Sequence, residues 1–147
     1  MDKAEHAQRA SVCAEARAWI GTPYHHCARV KGGDGGVDCA QIIWAVFYNV
    51  GLTPFMPLEP YARDWFLHRS AEQYMGIVMD RAREVETPQP GDVVLYRIGR
   101  CFAHGGIVVE PGWPTIVHAY ARAGRVLLDD GSAGDLARRE RKFFSRW

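Results

Sequence analysis

Cys39, His104 and His118 are the residues of this sequence whose types and spacing could do covalent chemistry. Cys39 follows an aspartate and opens an apolar stretch that reads as a helix. A helix N-terminus carries partial positive charge and unpaired N–H groups, which favour thiolate over thiol. Those N–H groups can also serve as donors to a developing oxyanion. A nucleophilic thiolate needs a proton acceptor, and six histidines are present, His6, His25, His26, His68, His104 and His118. His104 opens one β-type run and His118 lies in the next. Antiparallel neighbours joined by a turn bring two such rings side by side. One then takes the thiol proton while the other orients it. Structural alternatives stand beside each reading: a small cysteine packed in a core helix, and sheet histidines satisfied by backbone.

The elements that must position these residues follow from periodicity. Residues 4–20 read as a helix with Val12, Ala16, Trp19 and Ile20 on one stripe, stopped at Gly21-Thr22-Pro23. Residues 25–37 hold Gly32, Gly33, Gly35 and Gly36 and read as a loop. A phosphate-binding loop is disfavoured because no Gly-Lys-Ser/Thr ending and no preceding strand are present. The second helix carries Cys39, Ile42, Ile43, Val46, Phe47 and Val50 at helical spacing, with Asp38 as N-cap and Gly51 as stop. Trp44, Ala45 and Tyr48 make its other side apolar, so it is expected to be largely buried.

After the prolines at 54, 57 and 60, residues 61–83 read as helical with a break near Ser70, and Trp65, Tyr74, Ile77 and Val78 facing inward. From Pro88 the period changes to that of strands, at 92–98, 105–109, 115–120 and 125–129, with turns between them. A short helix over 133–142 and a last strand over 143–147 complete the reading. Helices first and antiparallel strands second make an α+β domain.

Length and composition agree. At 147 residues the chain suits a single domain, 1–147. Hydrophobic residues at 48% and charged residues at 24% are globular values, which argues against disorder. A net charge of +1 argues against a nucleic-acid partner. The longest apolar run is seven residues, 42–48, far short of a membrane span. The N-terminus, Met1-Asp2-Lys3-Ala4-Glu5-His6, lacks the apolar core of a secretory signal, so cytoplasmic synthesis is expected. Four cysteines without a Cys-x-x-Cys pair suggest free thiols.

Four segments together carry a resemblance. Gly21-Thr22-Pro23-Tyr24 and the glycine-rich loop, then Val37-Asp38-Cys39-Ala40 before an apolar helix, resemble the NlpC family of papain-like cysteine peptidases. Pro90-Gly91-Asp92-Val93-Val94-Leu95-Tyr96 is similar to that family's first core strand. Phe102-Ala103-His104-Gly105-Gly106-Ile107-Val108 is similar to its catalytic-histidine strand, and Val117-His118-Ala119 to the strand with the third polar residue.

The resemblance implies a papain-like NlpC-type α+β fold, with N-terminal helices on a C-terminal antiparallel sheet. It implies Cys39 as nucleophile, His104 as base and His118 as orienter, with Tyr24 and Asp38 on the substrate and oxyanion side. It implies peptidoglycan stem peptide as substrate, cut after γ-linked D-glutamate, and no cofactor. Tyr61-Ala62-Arg63-Asp64-Trp65 with His68 is similar to members from phages and gene-transfer agents, which implies phage-like tail proteins as partners and action from a tail particle in the periplasm. Ala40 and Gln41 replace the family's usual serine and glycine, and the loop with His25, His26 and Cys27 is a few residues long for it.

The same residues could also act as an acyltransferase, since both reactions pass through an acyl-enzyme, and two further readings remain open from sequence. One is a structural zinc site drawn from His25, His26, Cys27, Cys39, Cys101 and His104. The other is a non-catalytic tail-assembly module.

Overall fold

The computed structural model describes residues 1–58 and 71–147, with side chains of its third helix described from Tyr74 onward. Helix α1 (Lys3–Ala18) begins where Asp2 accepts from the Glu5 N–H, a capping arrangement that satisfies one of the orphan donors of the first turn. Helix α2 (Cys39–Asn49) begins the same way at Asp38, whose Oδ1 accepts from the Ala40 and Gln41 N–H groups. Gly51, at φ +79°, follows its end in the left-handed conformation that glycine adopts without steric cost. Helix α3 (Ala71–Met79) is the third. Trp65 lies outside the described residues, as does the Tyr61–Trp65 segment with His68.

Six strands form one antiparallel sheet: β3 (Arg83–Val85), β4 (Val93–Ile98), β5 (Cys101–Val108), β6 (Thr115–Tyr120), β7 (Arg125–Asp130) and β8 (Arg141–Ser145). Their order is β3-β8-β4-β5-β6-β7. Alternation sends successive side chains to opposite faces. Val93, Leu95, Ile107, Val117 and Ala119 pack with α1 and α2, where Val12, Trp19, Ile42, Ile43 and Phe47 are buried. Each such large side chain fully removed from water contributes about 1.5–3 kcal/mol. Val94, Tyr96, Val108 and Ile116 build a second core on the other face, with Leu136, Trp113 and Phe143.

Arg9 ties α1 to the sheet. Only 4% exposed, it bonds Asp92 Oδ1 at 2.8 Å, the Pro90 carbonyl at 3.0 Å and Ser145 Oγ at 3.2 Å, and its guanidinium stacks on Trp147. Removing one partner from a buried pair of this kind costs about 3–5 kcal/mol, because the other charge is left uncompensated.

The structure corrects several expectations. The segment 25–37 is not all loop: β1 (Arg29–Val30) and β2 (Gly36–Val37) form a small antiparallel hairpin within it. The helix expected through residue 83 stops at Met79, and Arg83–Val85 is an edge strand paired with β8. The helix expected over 133–142 shrinks to a single 3-10 turn, Gly134–Leu136. The last strand starts two residues early, and it inserts between β3 and β4. Ile20 and Ile77 are exposed, at 43% and 59%. Both lie where helical periodicity alone reads as apolar, but none of the described elements covers that side.

Candidate active site

Cys39 is the first residue of α2 and is half-buried. Its thiol donates to the Ala103 carbonyl of β5 at a sulfur–oxygen distance of 3.8 Å. Two features of β5 permit this approach. Gly105 packs directly beneath α2, and a Cβ there would sit 2.9 Å from Ile43 Cδ1 and 3.0 Å from Leu95 Cδ2. The β4–β5 register also shifts between Tyr96 and Arg97: Tyr96 pairs with His104, Arg97 with Phe102, and Ala103 is skipped. Such a bulge re-aims the backbone of one strand. Cys39, Ala103 and His104 line one cleft, walled by Ile43, Met75 and Leu95.

His104 and His118 meet. His104 Nε2 lies 2.8 Å from His118 Nδ1, with the rings at 69° to one another. Gly106 makes room for the pair, since a Cβ there would lie 3.2 Å from His118 Cβ. Beyond them, His118 Nε2 bonds Asp129 Oδ2 at 3.0 Å. His104 and His118 are 6% and 0% exposed. Burial therefore disfavours their charged forms. The His104 ring is pushed down to about 3 by burial, and then by the positive fields of His118 and Arg139. His118 is also lowered by burial, while its bond to Asp129 and that carboxylate's charge pull it back up.

The thiol departs from the sequence-based expectation. Its pKa is raised from 9.0 to about 12, first by burial and next by the Asp38 carboxylate, against the lowering effects of a Tyr24 hydrogen bond and the Cys39 and Ala40 N–H groups. A helix terminus supplies about 0.3–1 kcal/mol, less than one pH unit. Desolvation of a thiolate outweighs it. Burial thus pushes the Cys39 thiol up and the His104 ring down, so it favours the neutral form of each.

Tyr24 stands by the thiol. Its N–H donates to the Gly124 carbonyl at 2.8 Å and it bridges to Val37, so the turn after β6 and the strand before Cys39 hold it. Asp38 is placed otherwise than expected. It is 2% exposed, and Oδ2 accepts the Cys27 N–H at 2.7 Å while Oδ1 caps α2. A carboxylate is acceptor-only and cannot donate to an oxyanion. Asp38 shapes the site through the backbone: it starts α2 and pins the Cys27 loop.

No protein-family model and no curated protein matches this sequence. Solved structures do match in fold. NlpC2 from Trichomonas vaginalis is similar with a TM-score of 0.66 and 13% identity, over 93% of this chain and 45% of that one. The NlpC/p60 domain of the peptidoglycan hydrolase SagA is similar with a TM-score of 0.57 and 18% identity, over 91% of this chain and 96% of that one. The fold is that of the NlpC/p60 domains. The peptidoglycan hydrolase RipB from Mycobacterium tuberculosis matches at a TM-score of 0.64 and 19% identity, over 99% of this chain and 68% of that one. This chain thus spans less than half of NlpC2 and about two thirds of RipB.

Within this NlpC/p60 fold, Asp129 is the site residue that sequence reasoning missed. A signal for it exists. Tyr120 pairs with Arg125 across the turn, which sets His118 opposite Leu127 and puts Asp129 on the diagonal, on the same face. As for the zinc reading, no cluster of three or more His, Cys, Asp or Glu fit to hold a metal occurs among the described residues. Cys13 is a different kind of thiol, donating to the Val108 carbonyl at 3.8 Å and pushed by burial to about 11.

Proposed function

We propose that this protein is a cysteine peptidase acting on an amide bond of bacterial peptidoglycan stem peptide. The observation that carries the reading is the cleft shared by Cys39, at the tip of α2, and His104, whose ring is held by His118, in an NlpC/p60 fold. SagA and RipB, both described as peptidoglycan hydrolases, support the substrate class.

In the proposed reaction the thiol turns from the Ala103 carbonyl and gives its proton to His104. His104 Nε2 is committed to His118, so Nδ1 is the ring nitrogen that receives it. Cys39 Sγ attacks the carbonyl carbon. The Cys39 N–H and the Tyr24 hydroxyl meet the oxyanion. His104 then passes its proton to the leaving amine and the acyl-enzyme forms. Water, deprotonated by the same ring, releases the acid and restores the thiol.

The bond proposed is the one after γ-linked D-glutamate, and the setting a phage-like tail particle acting in the periplasm. Both rest on the sequence resemblance, the second on the Tyr61–Trp65 segment and His68. Mass spectrometry of purified muropeptides incubated with wild type and Cys39→Ala tests the reading. New stem-peptide fragments are expected from wild type alone. Intact muropeptides in both, or fragments in both, would overturn it.

A further inference from the structure

A carboxylate outside the cysteine–histidine set is wired to it. Asp129 is held from both sides: Oδ1 accepts the Asp130 N–H at 2.9 Å, and Oδ2 faces His118 Nε2 at 3.0 Å. A carboxylate only accepts, so His118 Nε2 must carry the hydrogen. In neutral imidazole one nitrogen donates and the other accepts. His118 Nδ1 is then an acceptor, and the atom facing it, His104 Nε2, must be the donor. By the same rule His104 Nδ1 holds a lone pair. Each proton position along the line is determined by the one before it, starting from the carboxylate.

Resting on the peptidase reading above, we propose that Asp129 is a positioning residue that fixes the tautomers of His118 and His104 in series, so that His104 Nδ1 is the free base. No proton passes to Asp129. When His104 takes the thiol proton at Nδ1, its Nε2–H still donates to His118 Nδ1, and His118 Nε2–H to Asp129. Among the described residues, the ionisable groups around the two rings are Cys39 on α2, Tyr96 on β4, Tyr120 on β6, Asp129 on β7 and Arg139 before β8. Of these, Asp129 is the one whose carboxylate bonds a ring nitrogen. Tyr120 is taken up by Asp135 at 2.9 Å, and Tyr96 by the Gly131 carbonyl at 2.6 Å.

The test combines a readout that needs no substrate with one that does. Long-range proton–nitrogen NMR of the histidine rings reports which nitrogen is protonated. In wild type the expected result is hydrogen on Nε2 of both rings; hydrogen on His104 Nδ1 overturns the proposal outright. Asp129→Asn can accept or donate with its amide, so mixed tautomers are expected for His118, and Asp129→Glu is expected to restore a single one. On muropeptides, Asp129→Asn should lower kcat by up to about 10⁴-fold, as for loss of a carboxylate that sets a histidine tautomer, with KM within about twofold. The acid limb of its rate profile should move to lower pH, since the carboxylate no longer favours the proton on His118. Asp130→Asn, which removes a neighbouring charge bonded to Ser132, should keep wild-type tautomers, rate and pH profile. Wild-type tautomers and rates in Asp129→Asn would refute the role. If wild type cleaves no muropeptide, the peptidase reading fails while the ring spectra still decide this one.

Discussion

His104 Nε2 and His118 Nδ1 lie 2.8 Å apart with both rings closed off from water. Two buried imidazoles at this distance cannot both be charged, and the bond needs one donor and one acceptor. The contact therefore serves as a proton-position lock, and its consequences differ for the two rings.

His104→Ala is expected to reduce turnover by several orders of magnitude, since the ring moves a proton in every cycle. His118→Asn should retain more activity, because its amide oxygen can accept from His104 Nε2–H. Steady-state rates of the two variants on purified muropeptides check this. Equal losses would place both rings in the same role.

The raised pKa of the Cys39 thiol predicts a particular reactivity. With the thiol pushed up to about 12 by burial, the thiolate is disfavoured at pH 7. Iodoacetamide should modify Cys39 slowly at neutral pH without substrate, and the rate should climb with pH past the free-thiol range near 8.5. Peptide mass spectrometry of timed reactions measures it. A rate that is already level below pH 7 would show a thiolate–imidazolium pair instead.

Burial of two neutral histidines makes stability depend on pH with a definite sign. Their pKa values are lowered on folding, so the unfolded chain binds protons that the folded chain refuses. Stability is full above the unfolded value of about 6.5 and falls as pH drops below it, by about 1.4 kcal/mol per pH unit for the His104 ring, with His118 adding in the same direction. Urea midpoints between pH 7.5 and 5 should decline, and His104→Gln should flatten the decline. Constant midpoints over that window would contradict the burial-driven shift.

Tyr24→Phe removes the hydroxyl that bonds Cys39. A loss of roughly 10- to 1000-fold in kcat is expected, the range for one oxyanion donor, with the fold unchanged. Circular dichroism and rates on the same sample check both halves. Wild-type turnover would reduce Tyr24 to a packing residue between Gly124 and Val37.

The sequence by itself carried α1, α2 and most of the sheet, because their signals are local. Asp38 before an apolar 3.6-residue repeat starts α2 and places Cys39 in its first turn. The β-branched runs between turn residues give β4, β6 and β7. The placement of His104 and His118 on consecutive antiparallel strands was legible for the same reason. Arg83–Val85 was not, since a three-residue edge strand has no period of its own and exists through its pairing with β8. The insertion of β8 between β3 and β4 was equally hidden, as sheet order depends on which faces bury each other. The site divides along the same line. Residue type and order nominated the thiol and the two rings. Only the tertiary structure set the direction in which burial moves their pKa values, because desolvation depends on what packs around a group. Only the strand register brought Asp129 to His118, since that contact joins residues eleven apart through the pairing of β6 with β7.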